Sequence, residues 1–158
     1  MSNSGGGFAD ILLENGAIPV LPALAKDAAL KALAREAGAR LDMPWLFIHE
    51  RLRTREALGT TGFGAGAAIP HARLPGLDAC VALVARLPQP VDWQANDGEP
   101  VDTLVLLLSP EDTGADHLKA LARISRTLRD PATLPALRAA ETGEAMLAAL
   151  ARTTATAG

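Results

Sequence analysis

The fold is decided by two apolar stretches, ACVALVARL (residues 79–87) and TLVLLLS (residues 103–109). Both are rich in valine and leucine and are bounded by proline and polar residues, which is typical of buried strands. A further short strand is expected over residues 17–21. It should lie at a sheet edge, because Pro19 cannot donate a ladder hydrogen bond.

Helix-start and helix-stop residues predict the helices around these strands. Asp27 is a suitable N-cap for a helix that stops at Gly38, and a second helix starts after Asp42 and ends at Gly59. An amphipathic helix is expected from Asp116 to Leu128, and the remaining helices are expected near residues 132–140 and 143–151. Helices that alternate with buried strands indicate an α/β fold in which helices cover a sheet.

The length and composition fit one compact domain. The chain has 158 residues, of which 49% are hydrophobic and 21% charged. We assign the domain to residues 8–152 and expect flexible ends at residues 1–7 and 153–158. No apolar run approaches the ~18 residues that span a bilayer, and the Ser/Gly-rich start lacks the basic region of a signal peptide. We therefore expect a cytoplasmic protein with no membrane insertion.

The charged, aromatic and cysteine residues exclude several classes of function. Fifteen basic and 18 acidic residues give a net charge of −3, whereas nucleic-acid binders usually carry a concentrated basic excess. With three Phe, two Trp and no Tyr, the chain also offers few platforms for stacking bases. Cys80 is the single cysteine, so an internal disulfide and CxxC sites are excluded, and we expect a buried, inert thiol.

A glycine-rich stretch, GTTGFGAG (residues 59–66), is the first candidate for chemistry. Its glycines allow positive φ angles and a close approach to a ligand, and successive N–H groups can form an anion-binding nest. A flexible turn with no ligand is an equally good interpretation of the stretch. If it binds phosphate, the donors should come from Thr60, Thr61, Gly62 and Gly64.

Two nucleotide-binding motifs are excluded at this loop. A Walker loop is absent because no Gly-Lys-Ser/Thr follows. The spacing Gly62-x-Gly64-x-x-Ala67 fits a dinucleotide fingerprint literally. Its context is wrong, because a helix precedes it and Pro70 prevents a phosphate-binding helix from following directly.

His71 is the candidate nucleophile. A neutral imidazole attacks phosphorus readily, and the ordinary histidine pKa near 6.5 keeps much of it neutral at cellular pH. Pro70 fixes its own φ and biases Ile69 towards an extended conformation, which aims the next side chain rigidly. The alternatives are a hydrogen-bonded structural histidine and a metal ligand, although no partner stands at ligand spacing.

Arg55 and His117 are further candidates because of their places in the predicted helices. Arg55 falls on the side of its helix that carries Ile48 and Leu52, so it needs an anionic partner, which is Glu56, another carboxylate or a phosphate. His117 lies in the first turn of its helix, where free N–H groups and the positive dipole end favour an anion. A capping or core histidine is the alternative there.

The run REALGTTGFGAGAAIPHAR (residues 55–73) resembles the signature of the enzyme IIA proteins of the bacterial phosphotransferase system. The similarity is to the fructose/mannitol type (EIIA type 2), which includes nitrogen-regulatory members. The family pattern is Arg-Glu, Gly-Ser-Thr-Gly, Gly-x-Gly and Ile-Pro-His. Pro-Val-Asp at residues 100–102, Ser109-Pro110 and His-Leu-x-x-Leu at residues 117–121 extend the resemblance. Thr60 departs from the usual serine but keeps a hydroxyl.

The resemblance implies a three-layer α/β/α sandwich around a mixed sheet. It also implies a phosphocarrier in which His71 is phosphorylated on Nε2, His117 is the second active-site histidine and Arg55 pairs with the phosphoryl group. The donor would be the histidine phosphocarrier protein of the system, and no metal or other cofactor is required. We expect Phe63 to form part of an apolar rim around His71.

Two roles within the family remain open, and one reading lies outside it. A nitrogen-regulatory member would control partner proteins through its phosphorylation state. A sugar-uptake component would pass phosphate to a sugar-specific IIB domain. Outside the family, His49, His71 and His117 could serve a metal-dependent hydrolase, and a nucleotide-binding module is a further alternative.

Overall fold

The computed structural model describes residues 7–157, with side chains described up to residue 151. Within these residues, a mixed six-stranded sheet forms the centre of the protein. The strands are β1 (Leu12–Ile18), β2 (Gly62–Gly64), β3 (Ala67–Ala68), β4 (His71–Leu74), β5 (Val81–Val91) and β6 (Val101–Pro110). The strand order is β1-β5-β6-β3-β2, and β4 also pairs with β6. The antiparallel pair β5 and β6 contains the two apolar stretches, and β1 lies parallel to β5 at the sheet edge.

In the described part of the chain, five α-helices cover the two faces of the sheet. They are α1 (Lys26–Leu41), α2 (Trp45–Ala57), α3 (Ala115–Arg129), α4 (Thr133–Ala139) and α5 (Gly143–Ala157). Side chains alternate along β6: Leu104, Leu106 and Leu108 belong to the core under α1 and α2, whereas Val105 and Leu107 belong to the core under α3, α4 and α5. This arrangement confirms the three-layer α/β/α sandwich. Within the described residues, no helix has the length and apolar character needed to cross a bilayer.

Several predicted boundaries were wrong. The first strand lies earlier than expected, because Pro19 follows β1 instead of lying inside it. The first helix begins at Lys26 with no side-chain cap from Asp27 and continues past Gly38 to Leu41. It ends at Asp42, which takes the left-handed conformation (φ 56°) expected of a C-terminal glycine.

The last helix and the glycine-rich stretch also differ from expectation. The last helix was expected to end at residue 151, and α5 continues to Ala157. Residues 1–6 and 158 lie outside the described part of the chain. The stretch 59–66 was expected to be a loop, but residues 62–64 form β2. It is followed by β3 and β4, because β6 supplies pairing partners that local sequence does not reveal.

Gly38 packs so tightly that alanine should destabilise the fold. A Cβ at this position would lie 2.7 Å from the carbonyl oxygen of Met43, whose own N–H donates to Gly38 O. Alanine normally stabilises a helix interior. Here we expect Gly38→Ala to lower the free energy of unfolding by about 1–3 kcal/mol, because the crowded atom belongs to the backbone.

Chemical denaturation of Gly38→Ala beside wild type measures this change. Ala39→Ser, at the exposed neighbouring position, is the control and should stay within about 0.5 kcal/mol of wild type. Increased stability of Gly38→Ala would contradict the close packing.

Candidate functional site

Strand β4 presents His71 at the edge of the sheet. It runs parallel to β6 with His71 opposite Leu107, whose N–H donates to the carbonyl of Pro70. Ala72 and Leu74 point into the core under α1 and α2. Because side chains alternate along a strand, His71 and Arg73 lie together on the opposite face.

The ring of His71 is held in one orientation by two hydrogen bonds. Nδ1 lies 2.8 Å from the carbonyl oxygen of Ile69, which can only accept, so Nδ1 carries a proton and donates. Nε2 lies 3.2 Å from Nε of Arg55, whose N–H donates to it. A neutral imidazole with its proton on Nδ1 satisfies both contacts and leaves the lone pair on Nε2.

Burial favours this neutral form of His71. It lowers the pKa of the ring below the ordinary 6.5, and the positive charge of Arg55 acts in the same direction. The hydrogen bond to Ile69 opposes the shift without reversing it. At neutral pH, His71 is therefore a neutral ring with an unprotonated Nε2.

Arg55 is directed towards His71 from the last turn of α2. Its Nη1 donates to the carbonyl of Gly59 at 2.8 Å, which anchors the guanidinium beside the ring. The expected alternative, an ion pair with Glu56, is not formed. Glu56 instead accepts from Lys26 at 2.8 Å and from the hydroxyl of Thr61.

His117 approaches His71 from the first turn of α3. The two ring centroids lie 5.5 Å apart. His117 is only 6% exposed, and its Nδ1 lies 2.7 Å from the hydroxyl oxygen of Ser109. Burial, with smaller effects of Arg73 and His71, lowers the pKa of His117 to about 4. Both rings are thus neutral at physiological pH.

The two histidines line a cavity of about 450 Å³ with several arginines. Arg51 is paired with Glu111 at 3.2 Å and also donates to the carbonyl of Arg73. The guanidinium of Arg73 itself makes no hydrogen bond or ion pair within the part of the chain that the structure describes. The cavity therefore combines two neutral imidazoles with guanidinium groups that can bind an anion.

The four residues expected to bind phosphate through the glycine-rich stretch lie outside this cavity. The Thr60 hydroxyl donates to the carbonyl of Trp93, and the Thr61 hydroxyl donates to Glu56 and accepts from the indole of Trp93. Gly62 and Gly64 pair with β3 as part of β2. In the folded chain, neighbouring residues therefore use these groups to fix the scaffold.

Phe63 and His49 both lie outside the cavity. Phe63 packs in the core under α3, α4 and α5, so it is not the expected rim residue; Leu58, 81% exposed, lies at the cavity instead. His49 binds Asp27 at 3.1 Å, outside the cavity. Among residues 7–151, no three His, Cys, Asp or Glu side chains form a group that could hold a metal ion.

Sequence reasoning missed Arg73 and Ser109. Arg73 stands two residues after His71, so strand alternation would have placed both on one face if β4 had been predicted. Ser109 carries no comparable signal, since its contact with His117 depends on how α3 packs against the end of β6.

The site can now be compared with known proteins. Residues 12–153 match the family described as phosphoenolpyruvate-dependent sugar phosphotransferase system, EIIA 2. The chain belongs to this family. The expected resemblance is thereby confirmed, and it covers nearly all of the described residues.

The similar relatives of this EIIA-type chain include several nitrogen regulatory proteins. The protein of that name from Bradyrhizobium diazoefficiens is 45% identical over 94% of this chain and 97% of its own length. The one from Escherichia coli is 36% identical over 75% of this chain and 74% of its own length. The crystal structure of nitrogen regulatory protein IIA-Ntr from Neisseria meningitidis has a TM-score of 0.83 and 27% identity, and the match covers 89% of this chain and 97% of that one.

The protonation of both cavity histidines can be measured by NMR titration. We expect the His117 ring to remain neutral until the pH falls to about 4, and His71 to protonate below its ordinary 6.5. Folding lowers the pKa of both histidines. Their contribution to the free energy of unfolding is therefore fully present above pH 6.5 and decreases as the pH falls below 6.5.

The variants His71→Asn and His117→Asn assign the two titrations. A His117 ring that protonates near pH 6.5 would contradict the burial described here.

Proposed function

We propose that this EIIA-type chain is a phosphocarrier that accepts a phosphoryl group on Nε2 of His71 and passes it to a partner protein. One observation carries the proposal: the hydrogen bond from Nδ1–H to Ile69 keeps Nε2 unprotonated, and Nε2 lies next to the guanidinium of Arg55. The donor would be the histidine phosphocarrier protein of the phosphotransferase system.

The transfer needs no proton movement at His71. The bond between phosphorus and the donor nitrogen breaks while a bond from phosphorus to Nε2 of His71 forms, and Nδ1 keeps its proton throughout. Such transfer passes through a loose transition state, which asks the protein mainly for positioning and for donors to the phosphoryl oxygens.

Arginine supplies the principal donors. When Nε2 becomes bonded to phosphorus, the Nε–H of Arg55 loses its acceptor and is directed at the new phosphoryl oxygens, while Nη1 stays anchored on Gly59. Arg73 adds positive charge from the same face of β4. Guanidinium donors fixed in place before reaction stabilise the charge that develops in the transition state.

A nitrogen-regulatory role is favoured over sugar uptake. The support is the 45% identity over most of both chains to a nitrogen regulatory protein. A sugar-specific relative, the 2-O-alpha-mannosyl-D-glycerate-specific EIIABC component of Escherichia coli, is 32% identical, and the chain matches 20% of that protein's length. We infer that phosphorylation of His71 controls binding to regulatory partners in the cytoplasm; the alternative is onward transfer to a sugar-specific IIB domain.

Removal of the nucleophile should abolish phosphorylation. We expect His71→Ala to take up no label from phosphoenolpyruvate in the presence of the two general components of the system, because no other described residue presents a free imidazole nitrogen beside Arg55. The measurement is radioactive labelling followed by mapping of the acid-labile phosphate.

His49→Ala is the matched control, since that ring lies outside the cavity, and it should label at the wild-type rate. Acid-labile label retained in His71→Ala would contradict the assignment.

Replacement of Arg55 by lysine should slow the transfer. The lysine ammonium retains the charge but cannot bond both Gly59 and a phosphoryl oxygen as the planar guanidinium does. We expect Arg55→Lys to reduce the rate of single-turnover labelling by about 10–100-fold.

Arg53→Lys, on the solvent side of the same helix, should leave the rate unchanged. Equal rates in Arg55→Lys and wild type would remove Arg55 from the phosphoryl-binding role.

A further inference from the structure

A buried hydroxyl contacts the second histidine of the cavity. Ser109 is completely buried near the end of β6, and its Oγ lies 2.7 Å from Nδ1 of His117. On its other side, Sγ of Cys80 lies 3.4 Å from the same oxygen. Cys80 is half-buried and not, as the sequence suggested, fully buried. These three side chains form a short hydrogen-bonded row that ends on the imidazole.

The direction of the bond between Ser109 and His117 follows from the acceptors available to the hydroxyl proton. Among the described residues, Ser109 has two side-chain neighbours within hydrogen-bond distance, the imidazole nitrogen and the thiol sulfur. A thiol sulfur is a weak acceptor, whereas an unprotonated imidazole nitrogen is a good one. The separation of 2.7 Å is also typical of an O–H donor, since N–H donors usually lie at about 2.9–3.0 Å.

The hydrogen bond between the Cys80 thiol and Ser109 runs in the same direction, towards His117. Its proton can be donated to Oγ of Ser109 at 3.4 Å or to the carbonyl of Asp116 at 3.8 Å, and the shorter contact is the one to Ser109. An oxygen that accepts one hydrogen bond becomes a better donor in the next. The hydroxyl proton is therefore directed to Nδ1 of His117.

We infer that Ser109 is a positioning residue that holds neutral His117 in the tautomer with its proton on Nε2. Nε2 makes no hydrogen bond to any described residue and is not sealed in the interior, so its N–H is open to the cavity that His71 also lines. The two histidines thus have opposite tautomers. His71 offers a lone pair on Nε2, and His117 offers an N–H donor.

The consequence for transfer rests on the proposed function. A phosphoryl group on His71 would receive a hydrogen bond from Nε2–H of His117, whereas the other tautomer would direct a lone pair at the phosphoryl oxygens. Ser109 touches no reacting atom in this scheme. It acts through the proton position of His117.

The test is the tautomer of His117 in the unphosphorylated protein at neutral pH. Long-range ¹H–¹⁵N correlation spectra of protein labelled with ¹⁵N-histidine distinguish protonated from unprotonated ring nitrogens. For wild type we expect a protonated Nε2 and an unprotonated Nδ1 on His117, and the reverse on His71. In Ser109→Ala, the two His117 nitrogens should move towards averaged positions while those of His71 stay in place.

Thr127→Val is the matched control. It removes a buried hydroxyl from the same helix as His117, where Thr127 donates to the carbonyl of Arg123, and it should leave both tautomers unchanged. A protonated Nδ1 on His117 in wild type would overturn the inference, even if Ser109→Ala does not fold. A folded Ser109→Ala with wild-type His117 signals would overturn it as well.

The role in transfer is tested separately. We expect Ser109→Ala to slow single-turnover labelling of His71 by about tenfold, as a donor loses its fixed orientation. If Ser109→Ala changes the tautomer of His117 but labels His71 at the wild-type rate, the positioning role is overturned. If wild type takes up no label but shows the expected spectra, the proposed function fails and the assignment of Ser109 to the tautomer stands.

Discussion

The chemistry of the cavity depends on the hydrogen bond from Nδ1 of His71 to the carbonyl oxygen of Ile69, two residues earlier in the chain. Pro70 lies between the two partners, and β6 fixes it by donating to its carbonyl. With Nδ1 committed to a backbone acceptor, the neutral ring has its lone pair on Nε2, where Arg55 is directed. The positions of α2, β4 and β6 matter because they keep these three groups together.

The glycine-rich stretch supports this arrangement indirectly. Its threonine hydroxyls join Trp93, a fully buried side chain, to Glu56 on α2, next to Arg55. The donors proposed to bind the phosphoryl group are arginine side chains in the cavity. The threonine hydroxyls, which the sequence suggested as ligand donors, thus hold the end of α2. This fixes the backbone position from which the Arg55 side chain extends.

Much of the fold and the centre of the site could be predicted from sequence. The apolar stretches in β5 and β6 and the amphipathic pattern of α3 are strong periodic signals, and the motif around Ile69-Pro70-His71 pointed to the proposed nucleophile. The predicted loop donors lie outside the cavity, because the hydrogen bonds to Trp93 and Glu56 that occupy their neighbourhood form only in the folded chain. Ser109 and Arg73 were missed for a similar reason, since β4 is defined by pairing with β6 and not by its own composition.

A backbone group orients the ring of His71, whereas a side-chain group orients the ring of His117. Ile69 contributes a main-chain carbonyl, which every amino acid possesses, so a side-chain exchange at that position leaves the acceptor in place. Ser109 contributes a hydroxyl, which one missense change deletes. A single substitution at residue 109 therefore removes the group that orients the second ring, whereas no substitution at residue 69 removes the acceptor that orients the first.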